Sequence, residues 1–359
     1  VKAILRSLLL LVVAFVFLSV MQKLGLLRWS DIVAAFIAHP KTILGVCLVQ
    51  AFCAVVMMVR YWKLLNLFGV STPLSQASSA TFVSTALGQW FPGSMAVVEV
   101  LRIGLMFGND PQRSLNSSGS GAGLKAKLAI VSLVDRLVGF LGILLMGFVF
   151  AGYLLVQVVA TDSSEISGVL FLMTTSGLGA ATLFALPLFV RWKPVRLLCR
   201  RFSEKQYGSG TRVRAVFAAI ARQLEPLRHD IEAGTRHPSR LAWPIVLSFV
   251  NLLAASAALY LAARALSVHL DFFQIVCVFP IISVASLLPL GFAGIGGYQL
   301  IMATVFGIFS VSPAVVASAG VLQSALGLFV NTLLGLMFLK VSSSQIRSIF
   351  RRQSAPSAS

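Results

Sequence analysis

Long apolar runs alternate with short polar breaks along the whole chain. The apolar runs occupy residues 4–21, 42–59, 128–155, 166–190, 241–263, 272–288 and 313–339. Each comes close to the roughly 20 residues that a helix needs to cross hydrocarbon. The short alternating strands of a membrane β-barrel are absent from the pattern. Two segments are too short or too polar to cross alone. Residues 76–88 scatter Ser78, Ser79, Thr81, Ser84 and Thr85 among small apolar positions. That pattern predicts a half-helix that enters the membrane and turns at Pro92-Gly93. Residues 300–309 follow a second break that starts at Pro289. The expected fold is an all-α polytopic membrane protein, a bundle of about eight helices with two re-entrant or broken segments.

Composition agrees. Of 359 residues, 58% are hydrophobic and 11% charged, with mean hydropathy +0.91. A soluble domain carries about 25% charged residues. No small-x-small cleavage site follows Met21, so the first run is expected to stay as a membrane anchor. No soluble domain separates from the rest. Residues 1–340 are expected to form one transmembrane domain and 341–359 a basic flexible tail.

The net charge of +18 is unevenly spread. Residues 191–240 hold 12 of the 29 Lys and Arg against four acids. By the positive-inside rule this segment and the basic C-terminus belong on the cytoplasmic side of an inner (plasma) membrane. Val213, Val216, Phe217, Ile220, Leu224, Leu227 and Ile231 recur within it at helical spacing, which predicts a surface-lying amphipathic helix. Basic residues there suit anionic lipid. No nucleic-acid motif accompanies the charge, so nucleic acid is not an expected partner. Cys47, Cys53, Cys199 and Cys277 form no CxxC pair, and the four histidines show no ligand spacing. No P-loop or dinucleotide fingerprint occurs, and no metal or cofactor is expected.

The chemistry gathers at the two breaks. Each follows a small-residue segment and a bulky apolar pair, Trp90-Phe91 or Leu287-Leu288. Each leads into a short apolar helix with a polar residue near its start, Glu99 or Gln299. Matched helix breaks in two halves point to a transport site. A freed helix N-terminus favours a phosphate or carboxylate headgroup. Pro92, Gly93, Pro289, Gly291, Gly294 and Gly296 shape these breaks. Only Glu99 and Asp135 among the 11 acids sit in or beside apolar runs; the other nine fall in evident loops. Glu99 and Arg102 share a helix face, whereas the adjacent Asp135 and Arg136 must look elsewhere for partners. Two readings stand here. One is an internal ion pair that fixes helix register. The other is a polar cavity whose arginines grip a phosphate bidentately. Arg60-Tyr61-Trp62-Lys63, at the end of the second run, reads most simply as an interfacial anchor of aromatic rings and snorkelling bases.

The order Arg60-Tyr61-Trp62, Phe91-Pro92-Gly93-Ser94, Glu99-x-x-Arg102 and Asp135-Arg136 resembles the lysylphosphatidylglycerol synthase transmembrane (flippase-like) family. That family carries an Arg-Trp, a Leu-Pro-Gly followed by Gly-Gly-Asp-x-x-Arg, and an Asp-Arg in the next helix. Pro289 with Gly294-Ile295-Gly296-Gly297-Tyr298-Gln299 looks like its Pro…Gly-x-Gly-x-x-Glu element. This sequence departs from the pattern at three places. Val97-Val98 replaces Gly-Gly, Glu99 replaces Asp, and Gln299 replaces Glu, which removes a charge.

The resemblance implies a lipid handled within the membrane. The candidate headgroup or cavity set is Arg60, Glu99, Arg102, Asp135, Arg136 and Gln299, with no residue assigned as catalytic. Arg102 and Arg136 would hold the headgroup, and the acids would orient them. Expected partners are anionic or phosphate-linked membrane lipids, and an enzyme of lipid or polysaccharide synthesis is a further candidate. Synthases of the family add a soluble aminoacyl-transferase domain, which this sequence does not carry, so that activity is not expected. The leading expectation is a lipid translocase or lipid-binding transporter. The rivals are a membrane-embedded transferase using a lipid-linked donor and a non-transporting subunit of an envelope-polymer assembly.

Overall fold

A computed structural model of the chain describes residues 19, 22–23, 29–91, 94–107, 121–160, 166–191, 238–268, 270–285, 291–292, 295–309 and 311–354. Most of the expected first span and the expected amphipathic helix within 191–240 lie outside the described residues. So do Pro92, Gly93, Pro289 and Gly294.

The helices are α1 (Trp29–Ala38), α2 (Pro40–Leu67), α3 (Leu74–Gly88), α4 (Ser94–Phe107) and α5 (Gly121–Ala160). After them come α6 (Ile166–Arg191), α7 (Pro238–Ala265) and α8 (Phe272–Ala285), then α9 (Gly297–Val305) with a 3-10 turn at Phe306–Phe309, and α10 (Pro313–Ser354). Stretches of α2, α5, α7 and α10 are long and apolar enough to cross a membrane. The protein is therefore an all-α multi-pass membrane protein. On α2, Leu44, Leu48, Phe52 and Val55 make an exposed apolar stripe at helical spacing, the surface that a helix offers to lipid.

Two elements differ from the sequence expectation. Helix α1 was not expected, and Asp31, assigned to a loop, lies in its first turn. It buries Ile32 and Ala35 but exposes Val33, Phe36 and Ile37, so apolar residues cover both sides and blur the period. Helix α10 continues to Ser354, into the stretch expected as a flexible tail. Residues 340–354 turn polar but contain no Pro or Gly, and nothing in them breaks a helix already under way.

The order of lengths repeats. Helices of 28, 15, 14 and 40 residues (α2 to α5) are followed, after α6, by helices of 28, 14, 9 and 42 (α7 to α10). Helices α2 and α7 also end alike. Gly69 at φ 73 and Ser267 at φ 57 each sit in the left-handed region two residues past the helix. At each, the next N–H reaches back five residues, Val70 to Leu65 O and Val268 to Ala263 O, both 2.9 Å. This is the Schellman closure.

The packing repeats as well. Helix α3 lies along α10 and, in the counterpart position, α8 lies along α5. The two lead helices, α2 and α7, form the most extensive seam. Arg60 meets Ser248 and Cys53 meets Asn251, while a Cβ at Gly45 would lie 3.5 Å from Leu261. Residue numbers rise on one helix as they fall on the other, so the seam is antiparallel and the second unit is inverted relative to the first. Inverted repeats with broken helices are a transporter architecture.

The breaks take different forms. Between α3 and α4 the chain doubles back so closely that a Cβ at Gly88 would lie 2.9 Å from the Val98 backbone. Between α8 and α9 the chain makes a two-residue antiparallel ladder, Gly291 with Gly296 and Phe292 with Ile295. Helix α8 starts on a capping box. Asp271 Oδ1 accepts from the Phe273 N–H at 3.2 Å, and Gln274 Oε1 accepts from the Asp271 N–H at 3.1 Å.

Candidate functional site

Three helices bring five charged side chains together. Arg60 comes from α2, Glu99 and Arg102 from α4, and Asp135 and Arg136 from α5. The spacing on α4 sets the first contact: Arg102 Nη1 donates to Glu99 Oε1 at 3.2 Å, three residues back on the same face. The adjacent residues of α5 point apart and take different partners. Asp135 Oδ1 accepts from Arg60 Nε at 2.7 Å, and its Oδ2 lies 3.9 Å from Arg102 Nη1. Arg136 Nε donates to Glu99 Oε1 at 2.9 Å.

The result is one row of alternating sign: Arg60, Asp135, Arg102, Glu99, Arg136. Three guanidinium groups face two carboxylates, so the row carries one positive charge in excess. Its ends differ. The Arg60, Asp135 and Arg102 side chains are at most 5% exposed, whereas Glu99 is 16% and Arg136 23% exposed. The Arg60, Asp135 and Arg102 end is buried, and the Arg136 end reaches the surface of the protein.

The deep end is built around Arg60. Its Nη1 donates to Ser248 Oγ at 3.1 Å, and that hydroxyl donates to Pro244 O at 2.9 Å. Room for the guanidinium comes from Gly139, one turn after Asp135, where a Cβ would lie 3.2 Å from Arg60 Nη1. One turn further, Gly142 lets α7 approach; a Cβ there would lie 2.7 Å from Ser248 Cβ. Arg102 is 1% exposed and stacks over the Tyr61 ring with its Cζ 4.6 Å from the centroid. Stacking suits a planar, weakly hydrated guanidinium in an apolar setting.

These positions correct the simplest reading of Arg60. It is buried against Asp135 and does not snorkel to an interface. Of its sequence neighbours, Tyr61 is fully buried, Trp62 Nε1 donates to Thr72 O at 2.9 Å, and Lys63 stays exposed over the Trp62 ring. Gln299 belongs to a different set: its Nε2 donates to Ser324 Oγ of α10 at 3.1 Å. Gly291 and Gly296 are paired in the ladder of the second break. Ser248 and Gly139 were not among the sequence candidates. The available hint for Ser248 was its place four residues after a proline inside a helix, where a hydroxyl can bond the i−4 carbonyl. Among the described residues no group of His, Cys, Asp or Glu could hold a metal ion.

No curated protein matches the chain. A family model described as the lysylphosphatidylglycerol synthase TM region matches residues 4–335. Nearly all of the helical bundle falls within that match, and the chain therefore belongs to the lysylphosphatidylglycerol synthase TM region family.

Proposed function

We propose that this protein is a translocase or carrier for an anionic or phosphate-linked membrane lipid, with Arg136 and Arg102 as the headgroup ligands. The observation that carries the reading is the unbalanced row of charge. A self-contained structural cluster balances its charges, and here three guanidiniums share two carboxylates: Arg136 is tight on Glu99 and Arg60 on Asp135, which leaves Arg102 the least paired, 3.2 Å from Glu99 and 3.9 Å from Asp135 with its Nε unbonded among the described residues. Uncompensated charge within a membrane bundle is costly and marks ligand or ion pathways. A phosphate diester is the membrane anion whose oxygens match a guanidinium fork. Glu99 holds the Arg136 fork in position when no ligand is bound, and Asp135 anchors Arg60 and Arg102 beneath it. The basic segment 191–240 and the C-terminus face the cytoplasm of the inner (plasma) membrane in this reading, which puts the charged row toward that side.

The test is reconstitution of the purified full chain into vesicles holding head-labelled fluorescent lipids. Loss of label to a membrane-impermeant quencher reports movement between leaflets. Labelled phosphatidylglycerol should cross faster than in protein-free vesicles, and Arg136→Gln should abolish the gain. No gain with the wild-type protein, or an equal gain with Arg136→Gln, overturns the proposal. Chemical conversion of a lipid-linked donor would instead favour a transferase. Co-purification with a polymer synthase, without lipid movement, would favour a subunit role.

A further inference from the structure

At the middle of the charged row, three buried polar atoms have no hydrogen-bond partner among the described residues: Arg102 Nε of α4, Tyr61 Oη of α2 and Ser132 Oγ of α5. Tyr61 is fully buried, Arg102 is 1% and Ser132 4% exposed. Arg102 stacks over the Tyr61 ring, and the hydroxyl at the edge of that ring lies within electrostatic reach of Arg102, Ser132, Glu99 and Asp135. Ser132 precedes Arg136 by one turn of α5, so the two share a face. These atoms adjoin the exposed end of the row. Arg102 Nη1 and Arg136 Nε bond the same Glu99 oxygen, at 3.2 and 2.9 Å, so a group seated between the two arginines touches both. Buried polar atoms left unpaired call for a ligand or water.

Glu99 shows what an anion with two oxygens can satisfy there. Its Oε1 accepts from both arginines and its Oε2 lies 3.3 Å from Arg102 Nη1, yet Arg102 Nε and the two hydroxyls stay unbonded. A carboxylate or a phosphate diester, each with two free oxygens, could take the place of Glu99 but would satisfy no more. A phosphate monoester carries a third. We infer that Arg102 Nε, Tyr61 and Ser132 form an inner subsite for that third oxygen, so that the headgroup bound most tightly is a terminal phosphate monoester. The inference rests on the reading that the row binds an anionic lipid headgroup. Burial agrees with it: a terminal phosphate has one arm, which leads back to the lipid, whereas a diester needs room for a second in a closely packed setting. A guanidinium N–H and two hydroxyls are donors in an apolar surrounding, where bonds to a charged oxygen are strongest.

Equilibrium binding to the detergent-purified full chain tests this, using short-chain fluorescent phosphatidic acid and phosphatidylmethanol. The second differs only by a methyl ester on the phosphate. The wild-type chain should bind phosphatidic acid about tenfold more tightly, equivalent to ~1.4 kcal/mol. Tyr61→Phe keeps the ring under Arg102, and both it and Ser132→Ala remove only an unpaired hydroxyl, so both should fold as wild type. Each should weaken phosphatidic acid about threefold or more and leave phosphatidylmethanol within about twofold. Equal binding of the two lipids by the wild-type chain, or a preference that survives either substitution, would mean that the unpaired atoms hold water and no third oxygen; this inference then fails alone. Equal weakening of both lipids by either variant overturns it in the same way. If the wild-type chain binds neither lipid, the headgroup reading fails and takes this inference with it.

Discussion

Arg60 Nε and Asp135 Oδ1 lie 2.7 Å apart, although 75 residues separate them in the chain. The pair ties α2 to α5, and the bond from Arg60 to Ser248 extends the tie to α7. One guanidinium thus joins the lead helices of both inverted units to the helix that carries Arg136. The structural and functional readings of the cluster meet at this point. In the proposed function the buried end holds the bundle in register and the exposed end meets the headgroup.

Asp135→Asn should expose this division. It removes the counter-charge of two buried arginines, and breaking such a pair costs about 3–5 kcal/mol. Asp135 is 2% exposed, so little solvent screening softens the loss. The variant should give much less monodisperse protein in detergent and a clearly lower unfolding temperature by fluorescence-detected size exclusion. Adding Arg60→Gln should recover part of the loss. An Asp135→Asn protein as stable as wild type would mean the pair fixes nothing.

Much of this was legible in the sequence because the strongest signals are local. Span length, the interruption between α3 and α4 and the three-residue spacing of Glu99 and Arg102 each follow from a few neighbouring residues. The geometry of a helix also showed that Asp135 and Arg136 needed separate partners. It did not show which, since Arg60 is distant in the chain and its aromatic neighbours suited an interface equally well. Gly139 and Gly142 were silent for a similar reason. A small residue in an apolar run becomes meaningful only when the helix it admits is known. Helix α1 and the extension of α10 were missed because neither has a clean apolar period.

Those two glycines can be ranked. A methyl group at Gly139 would press on the tip of Arg60, a flexible side chain, at 3.2 Å. One at Gly142 would lie 2.7 Å from Ser248 Cβ, close to the α7 backbone. Overpacking a tight core typically costs about 1–3 kcal/mol. Gly142→Ala should therefore lower the unfolding temperature more than Gly139→Ala. The reverse order would mean that the Arg60 guanidinium is held more rigidly than the seam between α5 and α7.

The inverted repeat makes a prediction about sidedness. Ser71 follows α2 and Ser267 follows α7, and both are exposed. The antiparallel lead helices should place them on opposite faces of the membrane. Ser71→Cys and Ser267→Cys, each in a chain whose four native cysteines are replaced, should differ in labelling by an impermeant maleimide in intact cells. Ser267→Cys should react from outside and Ser71→Cys only after permeabilisation, if the basic segment is cytoplasmic. Labelling of both from one face would exclude the inverted arrangement.

Glu99→Gln separates holding from binding. Glu99 lies between Arg102 and Arg136 and bonds both. If it only stabilises the helices, its neutral isostere should lower stability and do nothing for ligands. If it stands in for a headgroup, removing its charge frees both forks and raises the excess charge of the row from one to two. Binding of a short-chain anionic lipid should then tighten by about five- to tenfold, equivalent to ~1–1.4 kcal/mol. Most of the gain should vanish at high salt, because Arg136 is partly exposed and its field is screened there. A zwitterionic lipid of equal chain length should gain much less. Unchanged or weaker anionic binding by a folded Glu99→Gln protein would show that the carboxylate does not compete with the headgroup. Arg136 would then be a structural partner of Glu99 alone.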